Sequence, residues 1–191
     1  INTIHRNYTH INLTNNIRDY LHEKNIDIAN ITSREKTQYL AIMALDVLLE
    51  EKSFDDLISI KLPNNPGRFE IIQNEPLKII DGAHNIEGVE RLLSDFGQLN
   101  DSLFVDLFIG FKKGKDYIDI LNLIKGHKPN SINLIQDNTF FEQETVAKIA
   151  SHLEKIEQKY QVVHIDKFME NKNPCILLGS LYLIGEFKKD I

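Results

Sequence analysis

Apolar and polar residues alternate with two different periods along this chain, and the change falls near residue 66. Residues 1–33 are polar and asparagine-rich, with a strand expected near Tyr8–Leu13 and a short helix near Asn16–Glu23. A helix is expected after Ser33, a residue type suited to an N-cap. Within it Leu40, Met43, Ala44, Val47 and Leu48 lie at i, i+3, i+4, i+7 and i+8, one face of an amphipathic helix. Ser53 and Asp56 resemble a capping box that opens a second short helix to about Ile60. Leu62-Pro63-Asn64-Asn65-Pro66-Gly67 is dense in turn formers and is the best linker candidate.

Past the linker, strands and helices alternate. Phe69–Gln73 and Leu77–Ile80 are short β-rich runs around Asn74-Glu75-Pro76, which predicts a hairpin. Leu103–Gly110 is a nearly continuous apolar run, as in a strand buried on both faces. Further strands are expected at Ile132–Ile135, Val162–Ile165 and Cys175–Leu178. Helix faces come from Val89/Leu92/Leu93/Phe96, Tyr117/Ile120/Leu121/Ile124 and Val146/Ile149/Ala150/Leu153, and a last helix from Leu181–Phe187. Such alternation predicts an α/β fold with a mostly parallel sheet covered on both sides. Only Asp166–Pro174 separate the last two strands, too few for the crossover helix that parallel strands normally need.

Composition narrows the classes of function. The 191 residues are 42% hydrophobic and 26% charged, with a net charge of −6 and no long basic run, so nucleic-acid binding is not expected. No uncharged apolar stretch reaches the length of a membrane span. A single cysteine, Cys175, fits a reducing cytoplasm. The chain opens Ile1-Asn2-Thr3, without methionine or a leader-like segment, as expected of a fragment or processed product.

Chemistry concentrates at expected strand ends. Asp81 closes an apolar strand, and Gly82 frees the backbone to turn into a helix near Asn85 or Glu87. Open α/β sheets bind ligands outside the carboxyl ends of their strands, where a carboxylate can accept from ribose hydroxyls and free N–H groups favour anions. Asp81 or Asn85 would serve equally as an N-cap. Arg68, on the Pro66-Gly67 turn, carries a guanidinium suited to phosphate oxygens, or is a plain surface arginine. His84 has no partner that would make a nucleophilic triad, and a structural hydrogen bond is the simpler role. Lys112, Lys113 and Lys115 surround Gly114 after another strand. Ser180 follows the last strand, in a turn where an N-cap is the ordinary reading. His5, His10, His22, His127, His152 and His164 lack zinc-ligand spacing, so no metal site is expected from this chain alone. No G-x-x-x-x-G-K-[ST] occurs, so this chain contains no phosphate-cradling loop of that kind.

In order and spacing, four segments resemble the C-terminal part of folylpolyglutamate synthase/dihydrofolate synthase, a relative of the Mur ligases. They are Pro66-Gly67-Arg68-Phe69-Glu70, Asp81-Gly82-Ala83-His84-Asn85, Gly110 with Lys115-Asp116, and Gly179-Ser180-Leu181-Tyr182-Leu183-Ile184-Gly185-Glu186. The resemblance covers about Arg34 to Lys189. It implies residues 1–66 as the tail of a central ATPase domain plus linker, and 67–191 as a Rossmann-like C-terminal domain. It implies ATP as cosubstrate, with Mg2+ held mainly by the preceding domain, and small-molecule partners: ATP, a folate and L-glutamate. Arg68 would then contact ATP phosphates and Asp81 the ribose. His84 and Asn85 would line the nucleotide-facing edge, with Arg68 and His84 nearest the chemistry and Ser180 a further edge residue. Ile86 stands where the family has proline, Gly114 where it has aspartate, and Thr37 or Gln38 near its adenine-contacting asparagine. The isolated chain is expected to be inactive or weakly active. Two rivals stand beside this reading: another Mur-type amino-acid ligase, and a non-catalytic nucleotide-binding or interaction module.

Overall fold

The computed structural model of the protein describes residues 19–26, 33–48, 54–59, 65–99, 104–112, 117–136 and 143–189. The strand expected near Tyr8–Leu13, Ser53 of the capping box and the Lys113–Asp116 stretch lie outside them. The chain divides into two units, Ile1–Pro63 and Asn64–Ile191.

The described part of the first unit is helical: α1 (residues 19–23), α2 (Ser33–Leu48) and α3 (Phe54–Ile58). Leu21, Ile42 and Leu57 are its buried apolar residues among those described. The face expected on α2 is shifted: Ile42 is buried, Leu40 and Met43 only half-buried, and Ala44 exposed. The Tyr20 hydroxyl of α1 donates to Asp46 Oδ2 at 2.9 Å, one turn along α2 from Ile42.

The second unit is built on a six-stranded sheet in the order β1-β2-β6-β3-β4-β5. β1 (Glu70–Asn74) and β2 (Leu77–Asp81) form the expected antiparallel hairpin. β2 then pairs in parallel with β6 (Cys175–Leu178), and β6 with β3 (Asp106–Ile109). β4 (Ser131–Ile135) and β5 (Gln161–Val163) continue the parallel set. The α/β class with a mostly parallel sheet and one hairpin strand is therefore borne out. Every residue of β3 and β6 is buried, which explains the apolar run of β6 and of Leu107–Ile109 in β3.

The helices α4 (Ile86–Leu99), α5 (Tyr117–Gly126) and α6 (Gln143–Lys155) cover one face. There Val89, Phe96, Ile120 and Leu153 pack on Ile79, Leu107, Leu134 and Ile176. The other face carries α7 (Lys167–Glu170) and α8 (Leu181–Phe187), with Phe168, Leu183 and Phe187 against Ile80, Phe108 and Leu177. The three connections from β2 through β5 run one way across the sheet, whereas β5 to β6 runs back. A constant crossover hand places that return on the opposite face.

Two expected strands are shorter than the apolar pattern implied. Phe104 is exposed, and pairing begins at Asp106; Ile165 leaves the strand to pack beneath α7. The missing crossover helix is corrected too. Residues 164–174 make the parallel crossover with one turn of helix, α7, which polar anchors at the amino edge of the sheet hold in place. Buried Lys78 on β2 donates to the carbonyls of Phe168 (3.1 Å) and Met169 (2.5 Å), satisfying the end of that turn. Asp106 accepts from Asn171 Nδ2 (3.0 Å) and Asn173 Nδ2 (2.9 Å), and its N–H donates to Pro174 O at 3.0 Å. Phe168 meets Phe108 and Phe187 edge-on, each with ring centroids 5.3 Å apart. Side-chain anchors here replace the packing area a longer helix would supply.

Candidate functional site

The helix after β2 lies on one face of the sheet and the helix after the adjacent β6 on the other. The carboxyl ends of these two strands therefore flank a topological switch point, where open α/β sheets leave a crevice. Glycines let the loops converge there. Gly179 has φ +132°, and a β-carbon on it would lie 2.2 Å from Gly110 O. A β-carbon on Gly82 would lie 2.4 Å from Leu181 Cδ2.

Asp81 ends β2 at this point and is only 2% exposed. Its Oδ2 accepts from the Phe69 N–H at 2.7 Å. Its Oδ1 lies 3.8 Å from the Arg68 guanidinium and is the one buried side-chain oxygen or nitrogen among the described residues with no hydrogen-bond partner. Burial raises the Asp81 pKa. The Phe69 and Ala83 N–H groups and the Arg68 and Arg91 guanidiniums oppose this without cancelling it. A buried acceptor with an unused oxygen beside a half-exposed arginine is an arrangement a donor-bearing anionic ligand would complete.

Arg68 is presented by a tightly held turn. Gly67 (φ +68°) precedes it, and Phe69 (φ +45°), a left-handed residue with a bulky side chain, follows. Gly67 O accepts from the Gly82 N–H at 2.8 Å, which ties the turn to the Asp81 loop. Arg68 and Asp81 are thus brought together.

The other expected residues take more local roles. His84 is half-buried, and its Nδ1 donates to Gly82 O at 2.8 Å, since a carbonyl can only accept. Asn85 is the N-cap of α4: its Oδ1 accepts from the Gly88 N–H at 3.1 Å. Ser180 caps α8, accepting from the Tyr182 N–H at 3.3 Å. Of the lysine loop, Lys112 is described, with its Nζ 3.4 Å from the centre of the exposed Tyr182 ring. Among the described residues, no three His, Cys, Asp or Glu side chains cluster as a metal site would require.

Two contributors escaped the sequence reading. Arg91 acts on Asp81 from the second turn of α4. Lys188 Nζ lies 2.6 Å from Glu70 Oε1, while Glu70 Oε2 accepts from the Gly67 N–H at 2.6 Å. The spacing of 118 residues between Glu70 and Lys188 left no local signal.

No protein-family model matches the chain. A curated relative, dihydrofolate synthase/folylpolyglutamate synthase of Bacillus subtilis, is 31% identical over 131 residues, 65% of this chain and 30% of the relative. Folylpolyglutamate synthase of Mycobacterium tuberculosis, solved with ADP and AMPPCP, superposes with a TM-score of 0.63 at 17% identity. That match covers 79% of this chain and 38% of the other. The bifunctional folylpolyglutamate synthase/dihydrofolate synthase of Yersinia pestis, solved with AMPPNP and manganese, gives 0.59 at 20% identity, covering 80% and 38%. The chain spans about a third of the length of these proteins, as the resemblance to a C-terminal region requires. The structural matches carry the fold, and the curated relative carries the sequence likeness.

Proposed function

We infer that this chain is the C-terminal portion of an ATP-dependent ligase that adds L-glutamate to a folate, with residues 1–66 the tail of a preceding ATPase domain and 67–191 the Rossmann-like domain. The observation that carries this reading is the pairing of Arg68 with the orphaned Oδ1 of buried Asp81 at the switch point. The nucleotides held by the M. tuberculosis and Y. pestis proteins support it.

In the reaction, the terminal carboxylate of the folate takes the γ-phosphoryl group of ATP to give an acyl phosphate and ADP. The glutamate amine then attacks the acyl carbon, forming the amide and releasing phosphate. Arg68 supplies a fixed guanidinium to the phosphate oxygens as charge shifts during transfer. Asp81 offers Oδ1 to a ribose hydroxyl, and His84 and Ser180 shape the same edge. Among the described residues no three His, Cys, Asp or Glu side chains cluster to hold a magnesium ion, and under this reading the preceding domain would hold it.

The lack of a P-loop motif favours one second reading, a nucleotide-binding module without turnover. The reading frame upstream of Ile1 separates the two. A P-loop there, with folate- and glutamate-dependent ADP release by the complete polypeptide, supports the ligase. A frame that lacks it overturns the ligase for this protein.

A further inference from the structure

We propose that Glu70 and Lys188 are positioning residues for Arg68, forming a brace between the last helix and the turn that presents the guanidinium. This rests on the reading of Arg68 as the phosphate-facing group.

Arg68 sits between two residues in the left-handed region, Gly67 at φ +68° and Phe69 at φ +45°. Such a turn persists only where its surroundings over-determine it. Asp81 holds the Phe69 side, and the Glu70 carboxylate holds the Gly67 side with a 2.6 Å hydrogen bond from the Gly67 N–H. Glu70 is itself fixed from elsewhere: Lys188, the residue after α8, reaches its other oxygen at 2.6 Å. The same helix closes over the turn, since a β-carbon on Gly67 would meet Ile184 Cγ2 at 3.0 Å. Burial alone would raise the Glu70 pKa, but the Lys188 ammonium and the Gly67 N–H outweigh it and lower it, so the carboxylate stays charged at neutral pH.

α8 is capped at its start by Ser180, beside the switch point, and is followed directly by the lysine that braces Arg68. One helix thereby sets the distance between the loop after β6 and the arginine. Glu70 and Lys188 need no contact with any ligand to do this.

The test uses the full chain and three variants: Lys188→Met, Lys188→Arg and Glu70→Gln. Two readouts are taken, amide hydrogen exchange at Gly67 with Leu177 as core reference, and ATP affinity by calorimetry. Lys188→Met is expected to speed Gly67 exchange on the order of threefold or more, in keeping with a partly exposed ion pair. Leu177 should be unchanged and ATP binding weakened by a similar factor. Glu70→Gln should do the same, and Lys188→Arg should restore both readouts. Unchanged Gly67 exchange in Lys188→Met, or an equal rise at Leu177, overturns the brace. ATP affinity of the complete polypeptide that is unmoved in Arg68→Ala counts against Arg68 as a phosphate ligand, and Gly67 exchange alone then decides the brace.

Discussion

The Phe69 N–H donates to Asp81 Oδ2 at 2.7 Å, so the residue after the arginine is pinned to the end of the neighbouring strand. The carboxylate achieves this while buried and with its second oxygen unpartnered. Position 81 thus combines a structural clamp with an electrostatic cost.

Substitutions at Asp81 separate those two effects. Asp81→Asn keeps a carbonyl acceptor for Phe69 and removes the buried charge. Because the folded-state pKa is raised, Asp81 contributes stability that is present below the ordinary carboxylate range and lost as pH rises through the folded value. Asp81→Asn should therefore be more stable than the unsubstituted chain at pH 7, with the gain shrinking toward pH 4. Asp81→Ala loses the clamp as well and should cost about 1–3 kcal/mol relative to Asp81→Asn. Urea unfolding at the two pH values checks both; a gain for Asp81→Asn that grows in acid would refute the account.

Asp106 predicts the opposite slope. Burial raises its pKa, but hydrogen bonds from Ser131, Asn171, Asn173 and Asn130 outweigh that and hold it low. Its stabilisation is present above the unfolded carboxylate pKa and is lost as pH falls through the folded value. Asp106→Ala leaves several donors stranded and should cost roughly 2–3 kcal/mol at pH 7. Its acid denaturation curve should also be flatter than that of the unsubstituted chain, as thermal melts across the acid range would reveal.

Gly179→Ala should be among the most damaging single changes. Its new carbon would sit 2.2 Å from Gly110 O and 2.8 Å from Gly110 C, both backbone atoms of an adjoining strand end, at φ +132°. A loss above about 3 kcal/mol is expected. Gly82→Ala meets the Leu181 side chain instead, which can rotate, and should cost less. Equal effects of the two substitutions in chemical denaturation would contradict this.

Phe168→Ala removes the ring between Phe108 and Phe187 and should destabilise by about 3–5 kcal/mol. Hydrogen exchange should show the largest loss of protection in β6 and α8, whose buried residues share that cluster.

Arg68→Ala, under the proposed function, should lower ATP affinity about tenfold. Arg68→Lys should recover only part, since an ammonium cannot reproduce the planar fork. Calorimetry reads both, and unchanged affinity in Arg68→Ala would remove this residue from the site.

Much of the fold was legible because burial writes itself into composition. The apolar runs Leu107–Ile109 and Cys175–Leu178 and the helical spacing of Val89, Leu92, Leu93 and Phe96 follow from packing on both sides of a sheet. The Arg68 turn and the Asp81 strand end were readable because proline, glycine and a terminal carboxylate each leave a local mark. Strand order was not, since nothing in Cys175–Leu178 states that it inserts between β2 and β3. Lys78 hid because a lysine reads as solvated until the carbonyls of α7 are placed above it. The Asp106 partners, from Asn130 to Asn173, are unremarkable singly and acquire meaning only at one sheet edge. Asn85 and Ser180 proved to be helix caps, a role that their residue types already permitted.

The position of β6 bears on how the chain is made. It lies between β2 and β3, yet follows all the other strands in sequence. During synthesis from the amino end, the β1–β2 hairpin and the β3–β4–β5 group emerge as two pieces with no direct pairing between them. They share a sheet only once residues 175–178 have left the ribosome and slid between them. Closure of the domain is therefore a late, long-range event, and a ribosome stalled shortly before Cys175 would hold two exposed strand edges open to the wrong partner.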